Sequence, residues 1–332
     1  MCTAITMKTA QGETFFGRTM DFSYPLDPHV FVTPRGYGWN SITGKAAVNN
    51  RYGFIGTAQD IGRVIFADGV NEAGFSAAML YFPGYAYFPE PGEMAGGEQA
   101  VQIAAVEIVN FLLGACGSVA QAAEVLKQIK IVGVADPVTE TVAPLHWITA
   151  DKSGDCMVAE QTESGLHLYR NPIGVLANSP DFEWHMANLR NYTGVSPDQT
   201  EDSKWGDVEL SPFGQGSGTT GLPGGYTPPS RFVRTAFIKN HVRVPADRNE
   251  AVVTCFHAME SVTLPKGIVR TREGRDDYTQ YTAFVNTATG EYFAKSYDNS
   301  QIVTARLSEE NLVGTEPVSL GKLTRPVAFA GV

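Results

Sequence analysis

Cys2 is the residue whose type and position could carry the most chemistry. Removal of the initiator methionine, which a small second residue favours, would leave one residue bearing both a thiol and a free α-amine. The amine titrates near about 7.7–8.0 and the thiol near about 8.5, so both exchange protons around neutrality. The thiolate is the nucleophile, and an N-terminal amine can serve as its base. A Met-Cys start carries little weight by itself. Weight comes from Gly17-Arg18-Thr19-Met20-Asp21-Phe22. If Ala4–Lys8 and Thr14–Arg18 pair as a hairpin, Arg18 returns beside Cys2. Its guanidinium can then lower the thiol pKa, and Asp21 can hold the ammonium. The plainer alternative for Arg18 and Asp21 is a surface ion pair.

Other candidate chemistries fare worse. Cys116, Cys156 and Cys255 lie among apolar neighbours, with no C-x-x-C spacing, and read as small buried hydrophobes. The six histidines, His29, His146, His167, His185, His241 and His257, form no H-x-x-x-H pair, so no metal site is expected. The glycine-rich stretch from Pro212 to Gly225 lacks the Lys-[Ser/Thr] of a phosphate loop. The prolines around it argue against a dinucleotide turn, and no cofactor is expected. Gly214-Gln-Gly-Ser217-Gly218 is only a broken form of the hydrolase elbow.

The elements that must position these residues begin with short β-branched and aromatic runs over the first 80 residues, with no helix between them. That pattern predicts an antiparallel sheet. Glu98–Cys116 is apolar on most faces and reads as a helix packed between layers. Ser118-Val-Ala-Gln121 reads as a capping box opening a helix to about Ile129. Strands return from Leu145 to Ala177, helices are predicted over Phe182–Tyr192, Ser230–Val242 and Asn249–Val262, and strands close the chain. No repeat or low-complexity linker divides it, so residues 1–332 are expected to form one domain.

Composition narrows the class. The chain has 332 residues, with 25 Lys+Arg against 35 Asp+Glu and a net charge of −10, and no basic run. That argues against nucleic-acid or anionic-membrane partners. A chain of this length buries enough surface to need no cross-links. No apolar run approaches 18 residues and the start has no basic region before an apolar one, so a cytoplasmic location is expected.

Met1-Cys-Thr-Ala-Ile-Thr6, Phe16-Gly-Arg-Thr-Met-Asp-Phe22 and Val32-Thr-Pro-Arg-Gly-Tyr37 together resemble the choloylglycine hydrolase family of N-terminal nucleophile hydrolases. The likeness continues through Asp68-Gly-Val-Asn-Glu-Ala-Gly74, Leu176-Ala-Asn-Ser-Pro-Asp-Phe-Glu-Trp-His185, Pro212–Gly216, Gly221–Gly225, Pro229-Ser-Arg-Phe232 and Tyr297-Asp-Asn299. It implies an α+β fold of four αββα layers, two antiparallel sheets between helices, assembled as a homotetramer. It also implies roles: Cys2 as nucleophile, Arg18 beside its sulfur, and Asp21 orienting the amine and the substrate amide. Asn178 and the backbone N–H of Tyr81 would be the oxyanion donors, and Arg231 would complete the polar site. Ala177 departs from the threonine many relatives carry. The implied substrate is a small amide with an apolar acyl group. Tyr81, which penicillin V acylases share where many bile salt hydrolases have asparagine, tilts the expectation to penicillin V. Conjugated bile salts and acyl-homoserine lactones are the alternatives.

Overall fold

The computed structural model describes residues 1–92, 101–135 and 140–329. The strands β1 (Cys2–Lys8) and β2 (Thr14–Phe22) are nearly uniformly buried, because the sheet they form is covered on both faces. Their polar residues Thr3, Thr6, Arg18, Thr19 and Asp21 are therefore buried along with the apolar ones. Gly17 on β2 leaves room for a neighbour, since a Cβ there would collide with Ala283 O and the Phe284 ring.

Next come β3 (His29–Thr33), the small hairpin β4 (Gly38–Asn40) and β5 (Ala47–Asn49), then β6 (Phe54–Asp60), β7 (Val64–Asn71) and β8 (Phe75–Tyr81). Asn71 closes the β7–β8 turn, accepting from Ala73 and Phe75 N–H at 3.0 Å each. Residues 101–116 correct the expectation of a single helix: β9 (Val101–Ala104) precedes a 3₁₀ turn and a short helix α1 (Ile108–Ala115). The part of that expectation over 98–100 lies outside the described residues. β9 is drawn into extended form by parallel pairing with β10 (Ile129–Val132), a tertiary partner that local periodicity does not reveal. Between them, α2 (Val119–Gln128) starts where expected. Ser118 Oγ accepts from Gln121 N–H (3.2 Å), while the Gln121 side chain reaches back one residue further, to Gly117 N–H (2.7 Å).

The second half runs through β11 (Leu145–Asp151), β12 (Cys156–Thr162), β13 (Gly165–Arg170), β14 (Val175–Leu176) and helix α3 (Phe182–Asn188). An exposed hairpin that the sequence did not disclose, β15 (Ser203–Trp205) and β16 (Val208–Leu210), precedes the glycine-rich loop. Helices α4 (Pro228–His241) and α5 (Arg248–Glu260) follow, then β17 (Tyr278–Asn286), β18 (Glu291–Ser296), β19 (Asn299–Arg306), a single helical turn and β20 (Val318–Lys322).

Two antiparallel sheets result: a six-stranded one ordered β14-β1-β2-β17-β18-β19, and an eight-stranded one ordered β13-β12-β11-β8-β7-β6-β3-β20. Helices α4 and α5 pack on the outer face of the first, and α1 and α2 on the outer face of the second. This is the αββα layering expected. No helix of the described residues is long and apolar enough to cross a membrane.

Candidate active site

The β1–β2 hairpin has the register Cys2↔Met20 and Ala4↔Arg18, so Cys2, Arg18 and Met20 face the same way, between the sheets. Arg18 is wholly buried and spends its five N–H groups on fixed acceptors. Nε donates to Thr19 O (3.0 Å), Nη1 to Met79 O (2.7 Å) and Ala67 O (3.3 Å), and Nη2 to Met20 Sδ (3.5 Å) and Cys2 Sγ (2.6 Å). Burial pulls the guanidinium down, but attraction to Cys2, Tyr281, Asp68 and Asp21 together carries it above its usual range. A fixed cation therefore sits against the sulfur.

Thr3, Thr19 and Asp21 face the other way, toward α4. Thr227 caps that helix, Pro228 and Pro229 open its first turn, and Arg231, two residues on, drops onto β1. Its Nη1 donates to Cys2 O (2.6 Å) and to Thr3 Oγ1, and its Nη2 to Asn178 Oδ1 (2.7 Å). Asp21 Oδ2 lies 3.8 Å from Arg231, and Asp21 Oδ1 accepts from Thr279 Oγ1 (2.6 Å). Burial raises the Asp21 carboxyl and lowers the Arg231 guanidinium; each opposes the other's shift. With Met1 attached, the Asp21 contact to the terminal ammonium is through its backbone carbonyl (2.5 Å), while Asp277 supplies the carboxylate (3.4 Å). The plainer alternative of a surface ion pair between Arg18 and Asp21 is corrected: the two face opposite sides of the sheet, both buried, and Asp21 pairs with Arg231.

Asn178 joins the two sheets at their open end. Its Oδ1 accepts from Cys2 N–H (2.8 Å) and from Arg231, which turns Nδ2 toward Tyr81 O (2.6 Å) on the opposite sheet. Phe82 N–H donates to Pro144 O (2.7 Å), so Tyr81 opposite Leu145 is a non-hydrogen-bonded pair. Its N–H and C=O then point away from β11, to the side where Asn178 stands. Two histidines hold the chain carrying Asn178. His146 bridges Ala177 O (2.9 Å) and Glu160 Oε1 (3.0 Å). His185, set by the Asp181 cap of α3, donates from Nε2 to Asn178 O (2.7 Å) and stacks on Phe232. Burial depresses His185 to about 4, so its ring is neutral at pH 7.

Sequence reasoning missed Thr279, Asp277, His146 and the buried trio Asp68, Tyr281 and Tyr292. Only Asp68 had a signal, its place in the Asp-Gly-Val-Asn-Glu-Ala-Gly run. The three other cysteines are buried and unpaired, two of them with thiols pushed up to about 12 by burial. Among the described residues, no group of three or more His, Cys, Asp or Glu converges as a metal site.

An αββα sandwich with a cysteine at the head of a central strand defines an N-terminal nucleophile hydrolase. Residues 2–320 match the family described as linear amide C–N hydrolases, choloylglycine hydrolase family, and the chain belongs to it. It is 34% identical to a bile salt hydrolase/transferase of Clostridium perfringens, over 95% of each chain. It is 33% identical to a conjugated bile acid hydrolase of Lactobacillus gasseri, covering 94% of this chain and 98% of that one. A crystal structure of the conjugated bile acid hydrolase from C. perfringens superposes with a TM-score of 0.91 at 32% identity, with both chains fully covered. Penicillin V acylase from Agrobacterium tumefaciens, at 21% identity and TM-score 0.78 with both chains fully covered, shares the fold. The protein is a hydrolase of linear amide bonds, and its relatives favour the bile salt alternative over the penicillin V expectation.

Proposed function

We propose that this enzyme hydrolyses conjugated bile salts, with Cys2 as nucleophile. The observation that carries the mechanism is the convergence of Arg18, Asn178 and Arg231 on Cys2; the substrate class rests on the bile salt hydrolases it resembles along nearly its whole length. Loss of Met1 converts the Cys2 amide nitrogen into an α-amine. The Cys2 thiol passes its proton to that amine, making it an ammonium, and the sulfur attacks the substrate carbonyl, forming the C–S bond as the carbonyl opens to an oxyanion. The oxyanion is held by the second Nδ2–H of Asn178 and the N–H of Tyr81. The α-ammonium gives its proton to the leaving nitrogen as the C–N bond breaks. The α-amine then takes a proton from water, whose oxygen attacks the thioester and releases the acid and the thiol. Asp21 and Arg231 orient the amine and the amide, and the scheme invokes no cofactor.

Penicillin V is the second reading, favoured by Tyr81 itself. Parallel kcat/KM measurements on glycocholate, penicillin V and an acyl-homoserine lactone decide. Glycocholate is expected to be turned over best, and a higher value for penicillin V or the lactone reverses the assignment. Intact-mass analysis of active enzyme should find Met1 absent.

We further read residues 1–332 as one cytoplasmic domain that assembles as a homotetramer. The unpaired cysteines favour a reducing compartment. The β15–β16 hairpin and the following loop expose Trp205 (75%) and Phe213 (fully), apolar surface suited to a neighbouring subunit. Sedimentation should return a tetramer, and a monomer at micromolar concentration would refute it.

A further inference from the structure

The space between two packed sheets is ordinarily apolar, yet here it holds a carboxylate that the mechanism above does not use. Asp68 is 3% exposed. It accepts from Tyr281 Oη (2.8 Å) and Tyr292 Oη (2.5 Å), and Thr57 Oγ1 hydrogen-bonds to the Tyr292 hydroxyl in turn. Thr57 and Asp68 come from the eight-stranded sheet, the tyrosines from the six-stranded one. Burying such a group is costly unless it has partners, and it persists where something uses it.

Two irregularities aim this cluster. In the β6–β7 ladder Thr57 pairs with Asp68 and Ala58 with Phe66, so Ala67 is an extra residue. The bulge reverses the side-chain alternation: Phe66 joins the apolar cluster beneath α1 and α2, and Asp68 turns inward. It is the carbonyl of that extra Ala67 that Arg18 Nη1 reaches. In the β2–β17 ladder Thr279 pairs with Asp21 and Tyr281 with Met20, making Gln280 the extra residue. Thr279 therefore serves Asp21 on the helix side, while Tyr281 serves Asp68 on the side of Cys2.

Charge completes the case. The groups around Cys2 are Arg18 and Asp21 from β2, Asp68 from β7, Tyr281 from β17, Arg231 from α4, and Asp277 with the Met1 ammonium at the mouth. Asp21 faces Arg231, and Asp277 faces Met1. Arg18, among the described residues, has no carboxylate within 4 Å, and its hydrogen bonds go to neutral carbonyls and to sulfur.

We propose that Asp68, aimed by the Ala67 bulge and clamped by Tyr281 and Tyr292, is a positioning residue of the reaction: it is the buried counter-charge of Arg18, and it sets how strongly Arg18 draws on the Cys2 sulfur. This rests on the reading of Cys2 as nucleophile. Replacing the carboxylate by a neutral amide leaves the sulfur as the nearest negative charge to Arg18, with Asp21 on the far face of the sheet. That favours the thiolate and makes it less reactive.

The test is the pH dependence of Cys2 alkylation by iodoacetamide, followed by peptide mass spectrometry on folded enzyme, beside kcat and KM for glycocholate. In Asp68→Asn the acid limb of alkylation should move down by about one pH unit, and kcat should fall about tenfold or more with KM little changed. Asp68→Glu, which keeps the charge, should hold the limb within a few tenths of a unit of wild type. A limb that stays put in Asp68→Asn, or moves equally in both variants, overturns the proposal, whatever happens to stability. Should Asp68→Asn not fold, Tyr281→Phe removes one donor to the carboxylate. It should move the limb the same way by less, and no movement overturns the proposal. Failure of the nucleophile reading is separate: it would show as a Cys2→Ala enzyme with full amidase activity, while the alkylation limb still reports on the wild-type thiol.

Discussion

On its outer face the eight-stranded sheet meets α1 and α2 through Phe31, Phe54, Phe66, Leu112 and Trp147, all buried. On its inner face, one residue along β7 from the bulge, the same sheet offers Asp68 to two tyrosines and Ala67 O to an arginine. The outer face stabilises by area, at about 1.5–3 kcal/mol for each large side chain fully buried. The inner face near Cys2 places charges where water is absent, which costs stability and sharpens every electrostatic contact. One sheet thus separates the two jobs by side: rigidity outside, reactivity inside.

Substitutions on the two faces should therefore fail differently. Cys2→Ala, on the inner face, should abolish amide hydrolysis by at least about 10³-fold while leaving the urea midpoint nearly unchanged. A large stability loss there would break the division. Phe66→Ala, on the outer face, should cost about 3–5 kcal/mol of unfolding free energy, read by denaturant titration, with kcat of the folded fraction retained. Asn178→Ala should lower kcat by about 10²–10³-fold. His185 tests the boundary between the two roles. Its folded value, about 4, lies below the ordinary histidine value of 6.5, so between those pH values the unfolded chain takes up a proton that the fold refuses. Stability should be flat above about pH 6.5 and fall as pH drops toward 4, by on the order of 3 kcal/mol. His185→Gln should flatten that slope in a Tm-versus-pH series. Smallest of all, Lys127→Ala breaks a solvent-facing pair with Glu124 (2.7 Å) and should shift stability by less than about 0.5 kcal/mol.

Legibility followed sequence distance. The approach of Arg18 to Cys2 could be read from residues alone, because one hairpin brings together two residues 16 positions apart. Asn178, Tyr81 and Arg231 were reached only through family likeness, since nothing local marks an asparagine 176 positions away as the partner of Cys2 N–H. Over 101–116 only Ile108–Ala115 is the α-helix expected, because an apolar run has no periodicity to separate β9 from α1. Nothing in the spacing of His185 marks it as a support of the site, because its bond to Asn178 O depends on where α3 lies.

The amino-acid sequence by itself determined most of the strand-helix order, the net negative charge, the cysteine at the head of β1 and the arginine that returns to it. These depend on local pattern and short loops. Tertiary structure alone decided which face each polar residue serves. A strand alternates strictly by two, and one extra residue, Ala67 or Gln280, reverses the alternation. That extra residue is defined only against the partner strand, so Asp68, Tyr281 and Thr279 acquire their neighbours when the sheets assemble and not before.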